Sequence, residues 1–192
     1  AVVCRPFRFE GPQRMRKSNE GIERLRSFVD TCIVVSNDRL LEVAGKKATL
    51  TEAFQVSNQV LSMAVTSISN LVSSPGLINI DFADVRAIMS DTGGAVFGFG
   101  SSKGEQRATE AVKKACASPL LDKITIDGAR GILICVTGSP DITLFEVNEA
   151  ATMVYEMAAP DANIIFGANV DETLKDELRV TIIATGFDDQ PT

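Results

Sequence analysis

The residues of this sequence best suited to chemistry are amides and carboxylates, since it contains no histidine. Asn79, Asp81 and Asp84 fall within six positions of one another in L-I-N-I-D-F-A-D-V-R-A-I-M-S (77–90). Two clustered carboxylates beside an amide can polarise a water or hold Mg²⁺. A structural role fits the same residues. Asp81 can cap the helix F-A-D-V-R-A-I-M-S, with Asp84 at its third position, where negative charge favours the helix dipole. Capping leaves Asn79 unexplained. It also leaves open why two acids end a stretch, Ala53 to Ile80, that carries no charge.

A second group is Asn37, Phe54 and Asn58. Phe54 and Asn58 are four apart and share a helix face. A ring for stacking beside an amide with both donor and acceptor suits a purine base; a core Phe beside a satisfied Asn is the structural alternative. Glu10 and Arg14 follow a strand in F-E-G-P-Q-R-M, a position that suits a ligand loop or a plain i,i+4 charge pair. G-F-G-S-S-K-G-E (98–105) lies between a strand and a helix, where phosphate loops lie. It matches neither GxxxxGK[ST] nor GxGxxG, because Lys103 stands where glycine is required. Its glycines are expected to serve the backbone.

The lack of histidine excludes Ser-His-Asp and Cys-His catalysis and imidazole-ligated metals. A net charge of -6 and a pI near 4.8 argue against nucleic-acid binding, which needs a basic face, and against anionic lipid. Cys4, Cys32, Cys116 and Cys135 form no CxxC pair, so reduced thiols in a cytosolic protein are expected rather than zinc. No signal peptide is expected. The sequence starts in a strand-like pattern, A-V-V-C-R-P-F-R-F, and ends in a linker-like G-F-D-D-Q-P-T, so a piece of a longer protein is expected.

These residues need elements to hold them. At 45% hydrophobic and 23% charged, the 192 residues can bury a core. Strands are predicted at 1–9, 31–35, 94–100, 131–138, 163–168 and 178–186, and helices at 13–28, 38–43, 104–117 and 144–158. In the last of these Leu144, Val147, Ala151, Val154 and Tyr155 share a face. Pro119 is read as a break. Thr49 and Glu52 form a capping box for a helix running to about Ser73, roughly 35 Å long. Its many Ser, Asn and Gln argue against membrane insertion. Its lack of charge suggests a central strut covered on most sides. The fold class is α/β (α+β), with four strands and their helices following the strut.

P-G-L-I-N-I-D-F-A-D-V-R-A-I-M-S closely resembles the signature loop and following helix of the FtsZ family, the bacterial tubulin-like division GTPases. F-R-F-E-G-P-Q-R-M, N-D-R-L-L, T-E-A-F, S-P-L-L, A-R-G-I-L and E-L-R-V-T-I-I-A-T-G-F extend the resemblance over essentially the whole chain. Pro12-Gln13 depart from it, where many members carry basic residues. The resemblance implies a partial tubulin-like GTPase domain (1–48), a central helix (49–76) and a C-terminal domain with a four-stranded sheet (77–192). It implies GTP or GDP as ligand, with Glu10 and Arg14 near the ribose, Asn37 near the guanine, Phe54 stacked on the base and Asn58 bonding its edge. Asn79, Asp81 and Asp84 would enter the nucleotide pocket of the next subunit and position the attacking water. Mg²⁺ would sit at the subunit joint, with no dedicated metal ligands in this chain.

The family's phosphate-binding loops would precede residue 1, so the chain alone is expected to be inactive. The implied partners are further copies in a head-to-tail polymer, and other division proteins through a tail beyond residue 192. Neither nucleic acid nor direct membrane insertion is implied. The implied location is the cytoplasm, at the mid-cell division ring. A catalytically silent filament scaffold, or a fragment that caps filaments, is the alternative.

Overall fold

The computed structural model describes residues 1–44, 48–73, 76–90, 92–118 and 128–187. Its strands are β1 (Val2–Arg5), β2 (Thr31–Ser36), β3 (Gly93–Lys103), β4 (Gly131–Gly138), β5 (Asn163–Val170) and β6 (Glu177–Thr185). Its helices are α1 (Pro12–Arg26), α2 (Asn37–Ala44), α3 (Leu50–Ser73), α4 (Phe82–Met89), α5 (Arg107–Cys116) and α6 (Leu144–Met157), with a 3₁₀ turn at Arg8–Glu10. The first strand is shorter than predicted. Pro6 cannot donate to a ladder, and the Glu10 carboxylate takes the Phe7 N–H at 2.9 Å, tightening residues 7–10 into the turn. The expected break at Pro119 lies outside the described residues.

The strands form one six-stranded sheet ordered β1-β2-β3-β6-β4-β5. The four expected C-terminal strands are neighbours, β3 and β4 each antiparallel to β6, and β5 parallel to β4. A parallel ladder of three pairs, Thr31↔Gly93 to Ile33↔Ala95, joins β2 to β3 and so carries β1 into the same sheet. Both faces are covered. Ile132, Ile134, Val180 and Ile182 face a core shared with α5 and α6. Leu133, Cys135, Ile183 and Phe97 face another, with Ala64 and Leu71 of α3 and Val85 and Ile88 of α4. Burial on both sides accounts for the unbroken apolar run of β4.

Two helices differ from expectation. α3 buries only Ala53, Ser57, Ala64 and Leu71. Its opposite face exposes Gln55, Gln59, Ser62, Val65 and Asn70, so it is covered along one side rather than on most sides. Uncharged is not apolar: water satisfies those amides and hydroxyls as well as it would charges. In α6, Leu144 and Tyr155 are exposed, and Ala150 and Val154 face the core. The rotation follows from Glu146, which shares a face with Ala150 and Val154 and is drawn inward by a buried arginine described below.

Candidate functional site

Asn79, Asp81 and Asp84 lie on a short segment stitched to the edge of the sheet. The Ile78 N–H and C=O both pair with Ala168 of β5, at 3.1 Å each. Ile80 is buried against Gly167, where a Cβ would come within 2.5 Å of it. Gly76 lies against Asn169, with no room for a side chain. Leu77, Asn79 and Asp81 are left exposed. Asn79 Oδ1 accepts the Gly76 N–H at 2.5 Å. Asp81 Oδ1 accepts the Asp84 N–H at 2.8 Å, and Asp84 Oδ2 accepts the Asp81 N–H at 3.1 Å.

This is a complete capping box, so the helix-cap role is real. It uses one oxygen of each carboxylate. The second oxygen of each has no hydrogen bond among the described residues. Around them stand Leu77, Ile78 and Phe82, 73%, 44% and 64% exposed.

The second group gathers at the other end of α3. Phe54 is partly exposed, with its ring edge-on to Phe7 (centroids 5.2 Å apart), and Phe7 is stacked on Phe9 at 5.0 Å. Asn58 is exposed, one turn further along. Asn37, at the start of α2, is buried, and Ser57 donates to its Oδ1 at 2.8 Å. Glu10 and Arg14 form the expected i,i+4 pair at 2.6 Å. The Phe7 N–H, and then Arg14, hold the Glu10 carboxyl below the usual carboxylate range. The two groups sit at opposite ends of a 24-residue helix. From Asn58 to Ser73 alone the helix is ~22 Å long.

One polar centre escaped the sequence. Arg107, at the start of α5 and 4% exposed, donates to Glu146 in a two-point pair at 2.6 and 3.2 Å. Its remaining nitrogen reaches Ser139 at 3.0 Å, and Asp141 and Asp176 at 3.3 Å. Ser139 Oγ donates in turn to Asp141. One cation thus ties α5 to the β4–α6 loop, the first turn of α6 and the β5–β6 turn. Arg107 holds the Glu146 carboxyl below its ordinary range; Asp141 is lowered first by Ser139 and then by Arg107.

The nearby glycines have a packing cause. A Cβ at Gly98 or Gly100 would sit 2.4 Å or 2.1 Å from a carbonyl of α5. They let α5 lie close on β3, as a backbone role requires. No local sequence signal marks Arg107: Asp141 follows β4, Glu146 lies in the first turn of α6 and Asp176 directly precedes β6.

Comparison with known proteins follows the same outline. Residues 93–188 match the model of the FtsZ family, C-terminal domain. Among solved structures, an empty FtsZ dimer from M. jannaschii superposes with a TM-score of 0.91 at 46% identity, covering 97% of this chain and 54% of that one. The W319Y mutant of M. jannaschii FtsZ gives 0.91 at 45%, covering 97% and 56%. GDP-bound CetZ1 from Haloferax volcanii shares the fold, with a TM-score of 0.78 at 15% identity over 99% of this chain and 56% of that one. The chain thus spans about half the length of the structures it matches.

Proposed function

Since this chain belongs to the FtsZ family, we propose that it supplies two half-sites of a polymerising GTPase of cell division. One is the base side of its own nucleotide site: Glu10 and Arg14 near the ribose, Asn37 and Asn58 on the guanine, and Phe54 stacked on the base. The other is the Asn79–Asp84 segment, which works on the nucleotide of the next subunit. Residues 1–48 then belong to the nucleotide domain, 49–76 to the connecting helix and 77–192 to the C-terminal domain. The phosphate-binding half would lie outside this chain, which alone turns over no GTP. Contacts with other division proteins run through a tail beyond residue 192, and the polymer works in the cytoplasm at the mid-cell ring.

The observation that carries this reading is the separation of the two groups. A base-reading cluster at one end of α3 and an acid pair beyond the other end cannot share one nucleotide within one chain. Head-to-tail contact, a heterologous and therefore filament-forming arrangement, brings them together from two copies. The exposed Leu77, Ile78 and Phe82 beside the acids give that contact an apolar surface to bury.

The segment's chemistry fits the task. Phosphoryl transfer needs positioning and charge stabilisation more than covalent help. The box locks the two carboxylates in direction, and their second oxygens, without a hydrogen bond among the described residues, can orient a water. Hard carboxylate oxygens also suit Mg²⁺, which, when bound with the nucleotide, neutralises charge on the phosphates. Asn79 Oδ1 is engaged with Gly76, which leaves its NH₂ as the donor toward the incoming nucleotide.

One observation favours a second reading. A complete capping box needs no ligand, as a catalytically silent scaffold would require. Asp81→Asn and Asp84→Asn keep an oxygen for the cap and remove the charge. In the full-length protein that carries this sequence, the pair should lower GTP turnover about 10²-fold while polymer still sediments. Unchanged turnover would leave the two acids a capping role alone, and no turnover in the parent protein would establish the scaffold.

A further inference from the structure

The pocket proposed for the base contains a polar chain that capping and packing do not explain. Ser57 is buried in α3, between Phe54 and Asn58 in sequence, and its hydroxyl donates to Asn37 Oδ1. Cys4 Sγ, from the end of β1, lies 3.4 Å from the same hydroxyl oxygen. A serine has one proton, and here it goes to Asn37. The thiol must therefore be the donor in the Cys4–Ser57 contact. Burial agrees with this, because it pushes the Cys4 thiol up and keeps it protonated. The chain has one direction, from Cys4 S–H to the Ser57 hydroxyl and from there to the Asn37 carbonyl.

The consequence falls on Asn37. A carboxamide offers an acceptor and a donor, and free rotation would present either one to a ligand. With Oδ1 occupied, only the NH₂ remains. Among the described residues nothing accepts from it, although Asn37 is 6% exposed. An open donor of that kind is available to an acceptor on a ligand.

We propose that Ser57, backed by Cys4, is a positioning residue that fixes the Asn37 amide with its donor toward the bound base, selecting a 6-oxopurine over a 6-aminopurine. A guanine-type edge offers a carbonyl acceptor at C6, whereas adenine offers an amino donor that would oppose the Asn37 NH₂. This rests on Asn37 contacting the base, as proposed above, and the test separates the two claims.

The test measures the affinities of GDP and ADP for the full-length protein by titration of fluorescent analogues. Asn37→Ala should weaken GDP; if it does not, Asn37 is no base contact and both claims fall. Ser57→Ala is helix-compatible and should lower the GDP-over-ADP preference about 3- to 10-fold, the worth of one hydrogen bond. It should do nothing further in the Asn37→Ala background. Cys4→Ala removes only the first donor and should shift the preference the same way by less, which reads the chain even if Ser57→Ala folds poorly. If Asn37→Ala weakens GDP but neither serine nor cysteine variant moves the preference, or both nucleotides weaken alike, the positioning role is overturned.

Discussion

Two acidic clusters of this molecule use the same kind of side chain and differ in what the fold does with them. Around Arg107, the carboxylates of Asp141, Glu146 and Asp176 share one buried cation, so the buried charge is answered within the chain. In the 79–84 segment two carboxylates form no ion pair among the described residues, where one oxygen of each is engaged in the helix cap. The first arrangement is closed and holds three loops together. The second is incomplete, and the apolar side chains around it are exposed too. A saturated cluster points to structure, and a half-satisfied one on a rigid mount points to a partner. Charge density alone would have ranked them the other way.

The comparison breaks most visibly at Arg107. Arg107→Met leaves Glu146 and Ser139 without their donor and should cost about 3 kcal/mol, the low end for one member of a buried pair because the acids are partly exposed. Thermal unfolding followed by circular dichroism should fall by ~6–12 °C, and adding Glu146→Gln should recover part of the loss. A destabilisation no larger than that of a surface substitution would show that Arg107 holds nothing together. The loop acids should behave in the opposite way, with a large loss of turnover and little change in unfolding.

A smaller effect is expected at Gly100. Alanine there meets the α5 backbone, so Gly100→Ala should cost about 1–3 kcal/mol. Nucleotide affinity of the full-length protein should be unchanged, since the glycine serves packing; lost affinity at intact stability would revive a phosphate role for that turn.

The smallest effect is in pH dependence. The folded state lowers the Glu146 carboxyl through Arg107. Its contribution is therefore present above the unfolded value of about 4.3 and is lost as pH falls through the lower folded value. Urea unfolding of Arg107→Met should show a shallower acid-side decline below about pH 4 than the parent. Identical slopes would detach Glu146 from Arg107.

The sequence made these regions legible to different degrees, for physical reasons. Asp81 with Asp84 and Thr49 with Glu52 are local caps, and both form where three-residue spacing put them; Thr143 with Glu146 has the same spacing and forms a third box that passed unnoticed. The run G-I-L-I-C-V-T-G became β4 within the predicted bounds because burial on both faces leaves a continuous apolar signal. Arg107 was invisible because its partners are 32 to 69 residues away, and in sequence it is one more charge on an amphipathic helix. The β2–β3 ladder is as remote: Thr31 meets Gly93 with no local cue. The facing of α6 was misjudged for a related cause, since Glu146 turns inward to Arg107 and takes Leu144 out to solvent. Ser57 passed unnoticed beside Phe54 and Asn58, because a serine in a helix rich in serine carries no signal until its partner is known.

The central claim is that the base cluster and the acid segment meet across two copies of the protein. Mixing two defective full-length proteins tests it most directly, one with Asp81→Asn and Asp84→Asn, the other with Asn37→Ala and Asn58→Ala. The first keeps an intact pocket and the second an intact segment, so a mixed junction joins the two good halves. GTP turnover of the mixture should exceed the sum of the two proteins measured apart. Turnover equal to that sum, with both proteins in the same sedimented polymer, would contradict it.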